Sequence, residues 1–283
     1  MNDVGYFAPT EIGETLKLLA DYGEKATVLA GGTDLVPKIN CYELKPDCLL
    51  YIGRLGLDYI REEDGKLVIG AAASTAKIAA SELVQQKATA LAQAAFRSGG
   101  VATKTIATVG GNVANASPAA DLACALMAME AEIFLANVRE TRSVPIKAFF
   151  SGPGETVRQP DELLQEIHIP IPKGKTVFWK LGRRKAKTLS VANTSVHLLM
   201  DGNKCDEACI ALGAMAPTLL RCTQAEEMIK GQTLDITAVE ECAALAVADC
   251  APIDDQRASA WYRRKAGKAL VVCALAQAAD INN

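Results

Sequence analysis

The first sixty residues alternate between helical and strand-like patterns of apolar positions. In TEIGETLKLLADYG the apolar residues recur at helical spacing up to a glycine, and the short apolar run ATVLA follows. This order predicts a helix and then a strand. After GGTDL, the segments VPKIN and ELKPDCLLYIG predict a second small unit that ends in another strand. We therefore expect a compact βαβ-like subdomain over residues 1–58.

The next region, residues 59–174, has the pattern of a second subdomain. GKLVIGAAAS predicts a strand, and the alanine-rich stretch 75–97 and residues 121–129 predict helices. AEIFLAN and RSVPI predict two strands paired about a short turn. ELLQEIHIPIP predicts a closing strand with Ile167, Ile169 and Ile171 on one face, because alternate strand residues share a face.

The pattern changes after a Pro-Gly-Lys linker near Lys173, where we expect one domain to end and another to span residues 175–283. TVFWKL, SVANTSVHLLM and EACIALGAM predict three strands, the last two joined by a tight hairpin turn at Asp201-Gly202-Asn203. AEEMIKG, ECAALAVADC and RASAWYRRKAGKALVVCALAQAA predict helices. The expected fold class is α+β, with an antiparallel sheet and helices on one of its faces in this last domain.

Length and charge narrow the class of protein. The 283 residues suffice for two globular units, either of which we expect to be able to stand alone. The net charge of -3 provides no basic field for a nucleic-acid partner. The most apolar stretches, residues 122–131 and 270–279, are each about half as long as a bilayer span. An acidic amino-terminal segment does not resemble a signal peptide, so we expect a cytoplasmic protein.

Nine cysteines are scattered along the chain without a Cys-x-x-Cys pair or a tight cluster. We interpret them as reduced thiols, because Cys124 and Cys273 lie in apolar segments where a small buried side chain is common. No metal site is predicted, and an iron–sulfur cluster held by this chain alone is disfavoured.

Two glycine pairs carry the main chemical hypothesis. Gly31-Gly32 follows the strand ATVLA, and consecutive peptide amides in such a loop form a concave anion site to which the Thr33 hydroxyl adds a donor. Asp34 is expected to turn toward neighbouring amides or a hydroxyl. The alternative is a plain tight turn, since neither the GxGxxG nor the GxxxxGK[ST] pattern is present.

Gly110-Gly111 repeats the arrangement 79 positions later, after a β-branched run that we interpret as a strand, and precedes Asn112 and small polar residues. Two such loops from different subdomains would hold a diphosphate from both sides without a lysine or a metal. Asp121 follows Ser117-Pro118, where a helix is expected to start. Its carboxylate is interpreted either as a helix cap or as an acceptor for ribityl or ribose hydroxyls.

Several segments resemble the FAD-binding subunit of the xanthine dehydrogenase and carbon monoxide dehydrogenase family of molybdenum hydroxylases. They are AGGTDL, ATVGGNVANASPAADL, FFSGPGETVRQPDELLQEIHIP, KLGRRKAKTLSVANTSV and RASAWYRRKAGKALV, and the likeness spans nearly the whole chain. The resemblance implies a two-subdomain FAD-binding domain of the vanillyl-alcohol-oxidase (PCMH) type, residues 1–174, followed by the small α+β domain.

The resemblance also implies the residues that bind FAD. In the first loop they are Leu29, Ala30, Gly31, Gly32, Thr33, Asp34 and Leu35; in the second they are Thr103, Ala107, Thr108, Gly110, Gly111, Asn112, Ser117 and Asp121. In this family an aliphatic side chain matching Leu164 packs on the isoalloxazine, and a lysine matching Lys180 lies near the polar edge of the ring. A cation there would favour the anionic reduced flavin.

Two departures from the family pattern bear on function. Arg184 is present, but Thr188-Leu189-Ser190 replaces the usual acidic sequence, which removes a carboxylate near the flavin and leaves the handling of nicotinamide open. The cysteine-rich insertion by which one branch of the family binds a 4Fe-4S cluster is absent.

The resemblance implies an electron-transfer subunit rather than a complete enzyme. A large partner subunit with the molybdopterin cofactor hydroxylates substrate, and a small subunit with 2Fe-2S clusters passes electrons to FAD in this chain, in a dimer of heterotrimers. No catalytic side chain is assigned, and His168 and His197 are interpreted as structural. NAD, a quinone, ferredoxin or oxygen stays open as the final acceptor. The alternatives are a stand-alone FAD-dependent oxidase or reductase and a scaffold that has lost flavin.

Overall fold

The computed structural model describes residues 4–281, and its first unit is a small parallel sheet with two helices. The elements are β1 (Gly5–Phe7), α1 (Ile12–Tyr22), β2 (Ala26–Leu29), α2 (Leu35–Asn40) and β3 (Cys48–Tyr51). Strands β1 and β2 both pair parallel with β3, in the order β1-β3-β2. The predicted βαβ-like arrangement is present, and the three-residue strand β1 was missed by the sequence analysis. Leu19 of α1 and Leu50 of β3 are fully buried and belong to the core of this unit.

The second unit is a five-stranded antiparallel sheet, order β4-β5-β10-β6-β7, packed against helices. Its elements are β4 (Ile60–Glu63), β5 (Lys66–Gly70), α3 (Thr75–Ala80), α4 (Glu82–Lys87), α5 (Thr89–Arg97), α6 (Val101–Ile106), α7 (Val109–Ala114), α8 (Asp121–Ala128), β6 (Glu132–Ala136), β7 (Thr141–Pro145), β8 (Phe150–Gly152), β9 (Glu155–Thr156) and β10 (Leu163–Pro170). Every residue of α8 is buried, so this helix forms the centre of the main core. The predicted closing strand is β10, which buries Ile167 and Ile169 completely.

Two sequence predictions in this unit are wrong in detail. Residues 75–97 form three short helices. Ser81 adopts an extended conformation, which ends α3, and caps α4 with its hydroxyl; Ala88, with φ -145°, interrupts the helix a second time. The β-branched run before Gly110 is the helix α6 and not a strand, and Gly110-Gly111 itself lies within α7. Packing of α6 on α3 outweighs the strand preference of its threonine and isoleucine side chains.

The third unit is a four-stranded antiparallel sheet with three helices. Its elements are β11 (Lys175–Gly182), β12 (Ser190–Asp201), β13 (Lys204–Gly213), β14 (Leu220–Arg221), α9 (Thr223–Ile229), α10 (Ile236–Ala246) and α11 (Ala260–Ala278). Asp201 pairs with Lys204 across the predicted hairpin turn, in which Gly202 has φ +60°. The three predicted strands and three predicted helices are all present.

Both faces of this sheet are covered, although the sequence predicted helices on only one. Val177 belongs to the core that the sheet shares with α9, α10 and α11. The next residue, Phe178, points the other way and is buried in the core of the second unit, against which α5 and α8 pack. Since the sheet lies between helices of two units, the expectation that either unit could stand alone does not agree with the packing. None of the helices in residues 4–281 is long and apolar enough to span a bilayer.

A partly buried ion pair next to β10 is expected to make stability depend on pH. Arg142 donates to both carboxylate oxygens of Glu162 at 2.5 and 2.9 Å, and the amide of Gln159 donates at 2.7 Å. The Glu162 carboxylate is only 2 % exposed. Burial acts to raise the pKa of Glu162, but the bonds from Arg142 and Gln159 outweigh burial, so this pKa lies below its ordinary value of 4.5.

We therefore expect acid to destabilise the protein in part through Glu162. A carboxyl group whose pKa is depressed by folding stabilises the fold above its unfolded pKa and loses that contribution as the pH falls below about 4.5. Glu162→Gln should cost about 1.5–3 kcal/mol at pH 7, the range for a hydrogen bond to a charged group. Urea unfolding at pH 7, 5 and 4 should show this difference shrink toward acid. A difference that is constant across this range would contradict the assignment.

Candidate functional site

The loop after β2 has five backbone amides without acceptors. The N–H groups of residues 31–35 donate to no acceptor within the described part of the chain, whereas the amide of Val36 bonds the Gly32 carbonyl at 2.9 Å. Gly32 has φ +67°, a conformation that favours glycine. A run of unpaired amides at the surface is a site suited to an anion.

The first loop lies directly against the second predicted segment. A Cβ on Gly31 would lie 1.8 Å from the carbonyl oxygen of Ile106, so the two backbones touch at this point. Only glycine permits such an approach. The two segments therefore meet, as the diphosphate hypothesis requires, but Gly31 makes room for another part of the chain rather than for a ligand.

The second glycine pair also serves packing. The amide of Gly110 donates to the Ala71 carbonyl at 2.9 Å, and that of Gly111 donates to Oγ1 of Thr108 at 3.0 Å. A Cβ on Gly110 would lie 2.7 Å from Ala71. The expectation that both amides are free to bind a diphosphate is thus wrong. In this segment the amide of Thr108 is without a partner in the described structure.

Asp34 pairs with a lysine rather than with amides or a hydroxyl. Lys38 lies one turn along α2, and its ammonium contacts the Asp34 carboxylate at 2.7 Å and Oδ1 of Asn115 at 3.5 Å. Asn115 follows α7, so Lys38 bridges the two segments that the glycines bring together. The sequence analysis missed Lys38; its position four residues after Asp34 is the signal that predicts the pair.

Asp121 is buried between the second and third units. It is the first residue of α8, and the N-cap position belongs to Ala120, so the helix-cap interpretation is wrong. Its carboxylate accepts hydrogen bonds from Lys180 at 2.5 Å, from the Ser190 hydroxyl at 2.6 Å and from the Asn193 amide at 2.9 Å. Both oxygens are occupied, and contact with a ribityl or ribose hydroxyl stays a prediction.

Lys180 connects this carboxylate to the surface loop 183–189. Its side chain is 5 % exposed, and its ammonium also donates to the carbonyls of Thr188 at 3.0 Å and Arg97 at 3.5 Å. Because Asp121 neutralises Lys180, the pair carries no net charge. Pairing with Asp121 weakens the expected effect of Lys180, which was to favour the anionic reduced flavin by placing positive charge near it. Ser190 and Asn193, both fully buried, were missed because nothing in sequence spacing relates them to Asp121.

Four further predicted residues have the following settings. Asn112 accepts a hydrogen bond from the Ala123 amide at 3.1 Å, and Ser117 accepts one from the Ala119 amide at 3.3 Å. Thr103 is exposed on α6, and Leu164 is 5 % exposed beside a bulge of β10. Flavin contact by these four residues stays a prediction, as it does for the other residues implied by the resemblance.

The histidines and cysteines lie in structural settings. His168 contacts Glu166 at 2.7 Å and stacks on Phe134, and His197 contacts the Lys173 carbonyl at 2.7 Å. The nine cysteines are free thiols: Cys41 is exposed, Cys273 is half-buried and seven are buried. Burial raises the pKa of Cys205 and Cys250 to about 11. No group of side chains in residues 4–281 has the composition and geometry of a metal site.

The junction fits the diphosphate of a flavin dinucleotide. It offers the unpaired amides of residues 31–35 and of Thr108, from two units that touch at Gly31. Two cavities elsewhere, of about 60 and 210 Å³, border neither loop. The larger one is lined by residues of α8, β6 and β7 together with Arg221, and it shares no residue with the predicted site.

Comparison with known proteins decides the family. The model of the FAD binding domain in molybdopterin dehydrogenase matches residues 2–172, and that of the CO dehydrogenase flavoprotein C-terminal domain matches residues 177–278. The chain belongs to the FAD-binding subunits of the molybdenum hydroxylases. Members of this family are oxidoreductase subunits, so the family, the fold and the FAD cofactor implied by the resemblance are confirmed.

Relatives match most of this chain, and it spans most of their length. The glyceraldehyde dehydrogenase medium chain of Sulfolobus acidocaldarius is 30 % identical over 98 % of this chain and 99 % of its own length. The nicotinate dehydrogenase FAD-subunit of Eubacterium barkeri is 33 % identical over 85 % of this chain and 84 % of its own. A solved structure of carbon monoxide dehydrogenase from Hydrogenophaga pseudoflava superimposes with a TM-score of 0.94 at 32 % identity, covering 97 % of this chain and 96 % of the other.

Proposed function

We propose that this FAD-binding medium subunit receives electrons from 2Fe-2S clusters of a partner subunit and passes them through FAD to an external acceptor. The observation that carries the proposal is the junction at Gly31, where unpaired amides of the first loop meet the Thr108 segment. When bound, FAD supplies both one-electron and two-electron chemistry. The chain itself supplies binding and orientation.

The residues divide this work. We propose that the amides of residues 31–35 and of Thr108 hold the diphosphate, while Lys38 fixes the two segments relative to each other through Asp34 and Asn115. The Asp121–Lys180 pair holds the third unit, and with it the loop 183–189, against the second unit. No side chain is assigned as an acid or a base.

The domain division of the chain and the assembly in which it works are part of the proposal. We propose two domains, residues 1–174 and 175–283, in a cytoplasmic dimer of heterotrimers with a molybdopterin-binding large subunit and a 2Fe-2S small subunit. Relatives that are named as medium chains or FAD subunits of dehydrogenases support a multi-subunit assembly. Those relatives differ in the substrates that their names give, so the substrate of the large subunit is not assigned.

Purification of the chain with and without its partner subunits tests the proposal. The chain alone should be yellow, with stoichiometric FAD released by denaturation, and should oxidise no small substrate. With both partner subunits, addition of substrate should bleach the flavin absorbance. Substrate turnover by the isolated chain would support a stand-alone flavoenzyme instead, and a colourless chain that does not take up FAD would overturn the assignment.

A further inference from the structure

A surface beside the predicted flavin site carries four large apolar side chains in exposed positions. It consists of residues 96–106, the end of α5 with α6, and of the loop 183–189; we call it the cationic surface. Phe96 is 70 % exposed, Val101 79 %, Ile106 54 % and Leu189 63 %. Exposed apolar side chains grouped in one area mark an interaction site more often than scattered ones do.

The same surface carries six basic residues and no acidic one. These are Arg97, Lys104, Arg183, Arg184, Lys185 and Lys187. None of the six takes part in an ion pair within residues 4–281. Two carboxylates linked to this surface are already paired. Asp121 is bound by Lys180, and Asp255, next to the Gln256 carbonyl that Arg183 contacts, is bound by Arg257 and Arg263. The chain as a whole has a net charge of -3, whereas this surface carries only positive charges, so the local electrostatic potential is positive.

Contacts show that the two segments form one continuous surface. Lys104 donates to the Phe96 carbonyl at 2.9 Å and lies over its ring, and the Lys187 side chain covers Gly100. Lys180 joins the Arg97 and Thr188 carbonyls from beneath. The carbonyl of Ile106 touches Gly31, so the surface adjoins the loop that we assign to the diphosphate.

We propose that the cationic surface docks an acidic, diffusible iron–sulfur carrier protein that serves as the external electron acceptor. This inference rests on the proposed function. Each docked carrier takes one electron, so two carriers are reduced for each hydroxylation of substrate by water, and the two protons released in that reaction pass to solvent. An acidic carrier complements six unpaired cations, and complementary charge raises the rate of encounter.

The geometry favours a protein over a dinucleotide as the occupant. Small molecules bind in concave pockets that bury most of their surface. Here the apolar side chains are more than half exposed, and a rim of lysine and arginine surrounds them, which is the arrangement of an interface with an apolar centre and a polar rim. Electron-transfer encounters use small interfaces of this kind.

The test uses the assembled holoenzyme and a plant-type 2Fe-2S ferredoxin of strongly acidic composition as the probe. Binding is measured by surface plasmon resonance from about 20 to about 200 mM salt, and the Kd should rise steeply with salt. The double variant Arg184→Glu and Lys185→Glu should raise the Kd at least about tenfold at low salt. Lys230→Glu with Lys268→Glu is the matched control, because both lysines are exposed and unpaired in the described structure, and its Kd should stay unchanged.

A third variant separates the apolar centre from the charges. Leu189→Ser should raise the Kd while leaving its dependence on salt as in the unaltered holoenzyme. The proposal is overturned if the charge-reversed holoenzyme binds ferredoxin normally, if it loses a partner subunit, or if its affinity for NAD or NADP falls while that for ferredoxin does not. FAD content and bleaching of the flavin by substrate are measured in parallel. Loss of FAD or of flavin bleaching would count against the proposed function. If FAD and bleaching are retained but ferredoxin does not bind, only this inference is contradicted.

Discussion

Replacing Gly31 by alanine is expected to give a chain that folds but does not retain FAD. The new methyl group would overlap the Ile106 carbonyl oxygen, since a Cβ at this position lies only 1.8 Å away. A backbone carbonyl cannot rotate aside as a side chain does, so the first loop and α6 must separate. We expect at least a hundredfold loss of FAD affinity, or about 2.7 kcal/mol or more. Fluorescence titration of the flavin-free protein with FAD measures it.

The control for this change is Gly13→Ala. Gly13 lies in α1, and an added Cβ there meets nothing within 4 Å. Alanine also favours a helix over glycine by about 0.5–1 kcal/mol, so this variant should bind FAD normally and be slightly more stable. Normal FAD affinity in the Gly31 variant would show that contact between the loops is not what forms the site.

Lys180→Met is expected to destabilise the protein by about 3–5 kcal/mol, the cost of leaving one member of a buried ion pair alone. Asp121 is 5 % exposed and would keep only the donors of Ser190 and Asn193. The variant should also free the loop 183–189, because Lys180 holds the Thr188 carbonyl. Urea unfolding gives the change in free energy, and limited proteolysis within residues 183–189 reports the loop.

Two controls distinguish burial from simple loss of charge. Lys175→Met removes another ion pair of the same strand, that with Asp280, but these side chains are 51 and 78 % exposed, so the cost should be below about 1 kcal/mol. Adding Asp121→Leu to Lys180→Met should recover much of the lost stability, since an apolar pair can replace a buried ionic one. Equal costs for the two lysines would show that burial of the Asp121 pair contributes nothing.

The sequence predicts elements well where the apolar pattern agrees with the environment of the element. The strands β11 to β13 and the helix α8 are examples, because alternation or a continuous apolar run directly reflects their burial. The helix α6 was predicted as a strand since its β-branched residues favour strands locally, whereas packing on α3 decides the outcome.

For the site, the sequence motifs predicted which segments take part but not the tertiary contacts of their residues. The two glycine segments meet as the sequence predicted, but which of their amides are free depends on the partner backbone. The Ala71 carbonyl accepts the Gly110 amide, and nothing in the sequence relates these positions. The link between Asp121 and Lys180 joins residues 59 positions apart in two units. Such pairs follow from how the units dock, which a single sequence does not specify.

The sheet of the third unit packs against α8 on one face and α11 on the other. The stability of residues 1–174 and that of residues 175–283 therefore depend on each other. Cutting the chain near residue 174 would remove Phe178 and Ala211 from the core that contains α8 and expose a large apolar surface to water. We expect a fragment that ends there to aggregate, and not to bind flavin as the full chain does. The two matched segments are thus separable in sequence, yet we expect them to unfold as one cooperative unit.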